Sequence, residues 1–193
     1  MMGNMLLREI VVEKRIINTA QILKEIHYGI SHILHRDNEL NYSLDGMDIA
    51  LCVIDPANQV ISYAGAMSPL YIVRPQTGEE KDSALFRLEV IKADIMSLGG
   101  RIERSNMPAD ISFTTHHVSV QKGMTLYLFS DGYMDQFNRE KKLRFGSTRF
   151  KKLLVDSAQL TMKQQKEKLL EEFNNWKGDD KQIDDILVMG IRF

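Results

Sequence analysis

The sequence predicts an α+β fold, and three observations support this class. Apolar residues recur at helical spacing towards both ends of the chain, the middle of the chain reads as β-strands, and turn residues separate those strands. The order is helices, a series of antiparallel-type strands, then a helix and a last strand. With 193 residues, the chain is predicted to form one domain over residues 1–193.

The N-terminal region is predicted to form two helices. Met5, Leu6 and Ile10 fall on one helical face, which Lys14 extends. A second helix follows a break at Ile17-Asn18, with Asn18 or Thr19 as its cap and Gln21 at the capping-box position. Its apolar stripe is Ile22, Ile26, Ile30, Ile33 and Leu34.

The middle of the chain is predicted to be β. Pro56 presets the backbone of a tight turn and Asn58 tolerates a left-handed conformation, so a hairpin is expected around them. The expected strands cover residues 48–54, 60–64, 70–74, 84–93, 112–120 and 124–129.

The last third begins with a basic segment over residues 137–160, whose simplest interpretation is a solvated surface. Thr161 is predicted to cap a helix over 161–176, with Gln164 at the capping-box position and Trp176 as an anchor at its end. The chain finishes with the strand "DDILVMGIRF". The basic residues of the segment are Arg139, Lys141, Lys142, Arg144, Arg149, Lys151 and Lys152.

Composition and charge argue against several classes of protein. The net charge of −1 and the lack of a basic stripe argue against nucleic-acid binding. Cys52 is the only cysteine, which excludes an internal disulfide and a thiolate zinc cluster; it is expected to be buried and inert. The sequence contains neither an apolar run of about 18 residues nor a signal peptide, so a soluble cytoplasmic protein is expected.

Acidic residues stand at the ends of two predicted strands. Asp131 follows the strand 125–129, and Asp184-Asp185 precede the strand 186–191. If these strands are neighbours, the acids would project at one sheet edge and offer the oxygen ligands that Mg²⁺ and Mn²⁺ prefer. Gly132 would allow close approach of the backbone. The residues alone leave two alternatives open: a simple Asp-Gly turn, and acidic residues that protect an apolar strand from aggregation.

Four segments together resemble one family. They are "DGMDIALCVID", "YAGAMSPLYIVR", "FSDGYMDQF" and "QIDDILVMGIR", in this order. The set resembles the metal-dependent protein serine phosphatases (PPM), in their SpoIIE-like bacterial branch, over nearly the whole chain. The resemblance implies an α/β/β/α sandwich of two antiparallel sheets flanked by helices.

The same resemblance implies a function and a set of ligands. In this family a binuclear Mn²⁺ or Mg²⁺ site activates water, which hydrolyses phosphoserine or phosphothreonine without a phosphoenzyme. Asp131 matches the metal-ligating aspartate of the family's SDG motif, with Gly132 beside it, and Asp184 matches the ligand of the C-terminal motif. Asp185 occupies the neighbouring position. The implied substrate is a phosphorylated bacterial signalling protein of the anti-anti-sigma type, and relatives often carry an upstream sensor module.

One motif of the family has no counterpart in these 193 residues. It is an earlier D-x-x-G-H-G motif, whose aspartate bridges both metals and which is expected before the helix resembling "MMGNMLLREIVVEK". We therefore expect an N-terminally truncated domain without its first hairpin, an incomplete metal site and weak or absent activity. Exposed sheet edges would then favour a homodimer. The alternative function is a catalytically inactive PPM-fold module that regulates by binding.

The remaining candidates for functional residues are weaker. "DGMD" at Asp45–Asp48 is a weak candidate to replace the missing motif, because a similar segment of the family merely opens a strand. His32 and His35 share one helical face, while His116 and His117 are expected on opposite faces of a strand. We expect packing or surface roles for these histidines.

Overall fold

The computed structural model describes residues 2–34, 46–76, 85–99 and 111–193. The chain divides into two compact units. The first comprises Met1–Leu70 with Ile91–Val120, and the second comprises Tyr71–Val90 with Gln121–Phe193.

The first unit begins with helices and continues with a three-stranded sheet. Helix α1 (Met2–Arg8) runs into a π-helix (Glu9–Glu13), and α2 (Thr19–Leu34) follows. Strands β1 (Ile49–Asp55), β2 (Val60–Ala66) and β5 (His116–Ser119) form the sheet in the order β1-β2-β5. Both strand pairs are antiparallel.

The second unit is built on a four-stranded sheet in the order β4-β3-β6-β9. The β6 strand is antiparallel to both of its neighbours. The strands are β3 (Leu70–Pro75), β4 (Phe86–Ile91), β6 (Thr125–Phe129) and β9 (Val188–Arg192). The other elements of this part of the chain are α3 (Gly132–Asp135), β7 (Phe137–Asn138), β8 (Leu143–Arg144), α4 (Ser147–Asp156) and α5 (Met162–Lys177).

These elements confirm the predicted mixture of helices with antiparallel sheets. The hairpin of β1 and β2 is present, and its turn is held by the Asp55 carboxylate, which accepts from the backbone N–H groups of Ala57 and Asn58 at 3.1 Å each. The left-handed residue is Gln59, with φ of 54°, so the prediction for Asn58 was wrong by one position.

The helix boundaries agree with the capping chemistry. Both bonds of the capping box between Thr161 and Gln164 are present at the start of α5. At α2 the cap is Asn18, whose Oδ1 accepts from the Gln21 backbone N–H at 2.9 Å. The Thr19 hydroxyl instead forms a hydrogen bond with that of Thr115 at 3.0 Å.

The first predicted helix departs from regular α geometry. Its α-helical part ends at Arg8, and in the π-helix that follows the Lys14 N–H donates to the carbonyl of Glu9, five residues back, at 2.9 Å. The β5 strand is also shorter than predicted. The β5 strand starts only at His116, because the Asp94 carboxylate occupies the backbone N–H and hydroxyl of Thr114.

Each unit has its own core. In the first unit the buried cluster is mostly aliphatic and centres on α2, with Ile22, Leu23, Ile26 and Ile30. In the second it is mostly aromatic and surrounds β6 and α4. Its aromatic members are Tyr71, Tyr127, Phe129, Tyr133, Phe145, Phe150, Phe173 and Trp176. No helix in the described part of the chain is long and apolar enough to cross a membrane.

Candidate functional site

The two acidic segments meet because β6 and β9 are adjacent. The strands pair antiparallel, with Phe129 opposite Val188. Antiparallel pairing brings the end of β6 to the start of β9, so Asp131 and the Asp184-Asp185 pair reach the same edge of the sheet. The two strands are therefore neighbours, as the predicted metal site requires. The last strand begins at Val188 and not at residue 186.

Ser130 fastens the two segments together. Its hydroxyl donates to the carbonyl of Asp185 and accepts from the backbone N–H of Leu187, both at 2.9 Å. Its backbone N–H also donates to the Leu187 carbonyl at 3.0 Å. The sequence analysis gave this serine no role and missed its part in positioning the two segments. Its position could have indicated this role. Ser130 directly follows a buried strand, where a serine hydroxyl can replace a backbone hydrogen bond that is lost as the strand ends.

Gly132 is required at this edge by close packing. A Cβ atom at this position would overlap the carbonyl oxygen of Asp185 and lie 3.3 Å from Cβ of Asp184. Gly132 is buried and begins α3, so this approach holds the SDG turn against the acidic pair. The expected close backbone approach is confirmed.

Two glutamines add hydrogen bonds around the acidic pair, and sequence reasoning assigned neither of them a role. The buried Gln136 donates from Nε2 to the carbonyl of Lys181 at 3.0 Å. Gln182 donates from Nε2 to the carbonyl of Asp184 at 2.7 Å. These bonds fix the path of the chain that leads into β9.

The aspartates of this region fall into two groups by their partners. Asp135 forms an ion pair with Arg144 at 3.0 Å, and Asp180 forms one with Arg139 at 3.3 Å. By contrast, the carboxylates of the second group have no cationic partner among the described residues. This second group consists of Asp131, Asp184 and Asp185, and all three are exposed.

The described residues offer only part of a two-metal site. Carboxylate oxygens suit Mg²⁺ and Mn²⁺, but no group of three or more His, Cys, Asp or Glu side chains in the described ranges could hold a metal ion. Two dications about 4 Å apart repel strongly unless anionic ligands lie between them. A complete two-metal site therefore does not fit the residues that the structure describes.

The family follows from the sequence as a whole. The model of the family named Stage II sporulation protein E (SpoIIE) matches residues 1–193. The chain belongs to the SpoIIE family. This identifies it as a bacterial serine phosphatase domain of the PP2C (PPM) type, which confirms the resemblance. The search of curated proteins found no match.

Solved structures share the SpoIIE-family fold. The SiaA-PP2C domain of Pseudomonas aeruginosa aligns with a TM-score of 0.79 at 23% identity, covering 100% of this chain and 68% of that one. The manganese-presoaked phosphatase domain of SpoIIE from Bacillus subtilis aligns with a TM-score of 0.57 at 16% identity, covering 98% and 72%. A Mycobacterium tuberculosis protein with RsbU and RsbW domains gives 0.61 at 11% identity, covering 98% and 45%.

The other candidates have structural partners within the first unit of this SpoIIE-family chain. The Asp48 carboxylate accepts a hydrogen bond from the Ser97 hydroxyl, while Asp45 lies outside the described residues. Cys52 is half-buried, and its burial raises the pKa of the thiol to about 12, so the thiol stays protonated near neutral pH. A protonated thiol agrees with the expected inert cysteine, but the expected full burial is wrong, because Cys52 is only half-buried.

The histidines that the structure describes have packing or surface roles, and for His32, His116 and His117 this was expected. His116 stacks on Tyr63 with ring centroids 6.0 Å apart, and Nδ1 of His117 forms a hydrogen bond with Ser62 at 3.0 Å. His32 is exposed and His35 lies outside the described residues. His27 is buried, and its Nδ1 accepts from the Gly99 backbone N–H at 3.2 Å.

Proposed function

We propose that residues 1–193 form a metal-dependent protein serine/threonine phosphatase domain that acts in the cytoplasm. Its substrate is phosphoserine on a bacterial signalling protein, and its fold is the α/β/β/α sandwich that the family resemblance implies. The observation that carries the proposal is the meeting of the SDG turn with the DD segment, where three carboxylates lack cationic partners among the described residues.

The proposed ligands of Mn²⁺ or Mg²⁺ are Asp131 and Asp184, with Asp185 as a further candidate. Gly132 admits the close approach of the two segments, and Ser130 holds them in register. When bound, the metal would activate water and offset negative charge on the phosphoryl group. The chain's own contribution is to hold these carboxylates just beyond the ends of the paired strands β6 and β9, as a preorganised site requires.

The chain tested alone is expected to bind Mn²⁺ weakly and to hydrolyse p-nitrophenyl phosphate slowly. The reason is the small number of ligands that the described residues provide. Robust Mn²⁺-dependent hydrolysis by these 193 residues would contradict this expectation.

Mn²⁺ titration followed by calorimetry tests the ligand assignment. Asp131→Asn should weaken Mn²⁺ binding roughly tenfold, because an amide carries no negative charge to offset the dication. The matched control is Asp156→Asn, which removes an exposed carboxylate that is already paired with Lys152 at 2.9 Å. Equal Mn²⁺ affinities of Asp131→Asn and the wild type would remove Asp131 from the site.

The alternative is a catalytically inactive PPM-fold module that regulates by binding. The lack of a three-ligand group in the described ranges favours it. If millimolar Mn²⁺ neither binds nor raises the melting temperature, this alternative replaces the enzymatic proposal.

The proposed partner is a phosphoprotein of the anti-anti-sigma type, and an upstream sensor module is expected to control the domain. The structurally similar Mycobacterium tuberculosis protein, which has RsbU and RsbW domains, supports a place in such regulatory systems. A homodimer is also proposed, and light scattering that gives a monodisperse monomer would exclude it.

A further inference from the structure

A groove in the second unit lies between α4 and α5 and has a volume of about 380 Å³. We call it the Trp176 groove, after the indole in its wall. Four of its lining side chains are basic and two are acidic, which gives it a net charge of +2. The basic residues are Lys141, Arg149, Lys152 and Lys168, and the acidic ones are Asp156 and Glu172.

Trp176 provides a fixed aromatic surface for two of these cations. Nζ of Lys141 lies 4.7 Å from the centroid of the ring, and the guanidinium carbon of Arg149 lies 4.8 Å from it. The ring itself is held by a hydrogen bond from Nε1 to the carbonyl of Gln136 at 3.0 Å and by the edge-on ring of Phe145. The indole therefore orients positive charge at the groove.

The positive charge of the groove is only partly neutralised. Lys152 forms an ion pair with Asp156 at 2.9 Å. Lys141, Arg149 and Lys168 form no ion pair with a carboxylate of the described residues. Cations gathered in one concave surface attract anionic ligands and raise their local concentration. The sequence predicts a solvated surface for the basic segment over residues 137–160. Part of that surface forms the Trp176 groove.

We propose that the Trp176 groove binds an acidic peptide segment of a partner protein. The cations come from both sides of the groove, while the mostly buried side chains of Phe145, Leu153 and Trp176 form its apolar floor. A peptide can match this pattern, because its carboxylates reach the cations while a small apolar side chain rests on the exposed edge of the floor. Arginine and tryptophan are also the residues that most often dominate binding energy at protein interfaces.

The same features disfavour a nucleic acid as the ligand. Asp156 and Glu172 stand in the groove, and a phosphate backbone, which is charged at every nucleotide, cannot avoid them, whereas a peptide can place neutral residues opposite them. The whole chain carries a net charge of −1, without the excess of basic residues that nucleic-acid binding requires.

Trp176 is the only tryptophan, so its fluorescence reports on this groove alone. The probe is a short peptide of alternating glutamate and leucine, and the matched control peptide has glutamine in place of glutamate. The acidic peptide should shift the Trp176 emission in a saturable manner, with an affinity that falls as salt is added. The glutamine peptide should not produce this shift.

Two charge-reversal variants on helix α5 test whether the peptide binds in the groove or anywhere on the charged surface. Lys168 lines the groove, whereas Lys166 is exposed and outside it. Lys168→Glu should weaken binding of the acidic peptide roughly tenfold, while Lys166→Glu should leave it within about twofold. Lys141→Gln is a second groove variant, at an exposed position before α4, and should weaken binding roughly threefold. Thermal melts of all three variants verify that they fold.

Several results would overturn the proposal. They are the absence of a saturable shift, equal weakening by Lys168→Glu and Lys166→Glu, or equal binding of the glutamine peptide. Tighter binding of inorganic phosphate or of single-stranded DNA than of the acidic peptide would assign the groove to a different ligand and would equally refute it.

Discussion

The cores of the two units differ in composition. The cluster of the first unit is aliphatic apart from Phe113, and its packing around α2 is governed by shape alone. The cluster of the second unit is largely aromatic, and several rings carry polar groups with defined partners. Tyr133 donates to the carbonyl of Leu169 at 2.7 Å, and Tyr127 donates to Gln165 at 2.6 Å. Directional bonds of this kind fix orientation as well as burial.

The second unit, which has the aromatic core, also carries the candidate site. Phe129 precedes Ser130 directly, and Tyr133 follows Gly132, so two core rings bracket the SDG turn. Burial raises the pKa of Tyr133 and raises that of Tyr127 to about 12, so both phenols stay protonated and keep donating near neutral pH. The unit that carries the candidate carboxylates is thus the one whose core has fixed geometry.

The largest expected effect comes from opening the aromatic core. Phe150 is fully buried, and its ring centroid lies 5.2 Å from that of Phe129 and 5.0 Å from that of Tyr133. Phe150→Ala should lower the free energy of unfolding by about 3–5 kcal/mol, measured by urea denaturation followed by circular dichroism. In the aliphatic core, Ile26→Val should cost only about 1 kcal/mol. A loss below that control value for Phe150→Ala would show that the rings are not tightly packed.

A smaller effect is expected where the core meets the candidate site. In Gly132→Ala, the new methyl group overlaps the Asp185 carbonyl, so the two acidic segments must separate. We expect a loss of roughly 1–3 kcal/mol in unfolding free energy together with weaker Mn²⁺ binding.

The matched control for that variant is Gly3→Ala, whose methyl group would meet only the Met47 side chain at 3.6 Å. It should leave the melting temperature and Mn²⁺ binding nearly unchanged. Wild-type stability of Gly132→Ala would contradict the close packing of the SDG turn on the acidic pair.

The smallest effect concerns His27, a buried histidine in helix α2 of the aliphatic core. Burial lowers the pKa of His27 below its ordinary value of 6.5, so the unfolded chain takes up a proton at higher pH than the folded chain. The contribution of His27 to stability is therefore complete above pH 6.5 and declines as the pH falls below it. The slope is at most about 1.4 kcal/mol per pH unit.

Urea denaturation between pH 7 and pH 5 measures this slope. His27→Gln should flatten the dependence, whereas His32→Gln, an exposed position on the same helix, should leave it unchanged. An identical pH dependence of His27→Gln and the wild type would show that His27 does not titrate on unfolding.

Local patterns in the sequence predicted much of the fold and the place of the site. The capping box at Thr161 and the β1–β2 hairpin are local, and both are present. The sequence did not predict that β6 and β9 are adjacent; the metal-site prediction only assumed it. Strand order depends on long-range packing, which the periodicity of apolar residues does not encode. The bonds from Ser130 and Gln136 to the acidic segment were missed for the same reason, since their partners lie some fifty residues along the chain.

The π-helix at Glu9–Glu13 has a consequence for the length of the chain in related proteins. A π turn accommodates one residue more than an α turn, so the helix absorbs an insertion here without breaking. Relatives in which this stretch is purely α-helical should be one residue shorter at this point. When such a relative is aligned with this chain, the alignment needs a one-residue gap between Glu9 and Lys14. Without that gap, the residues before the π turn are paired one position out of register.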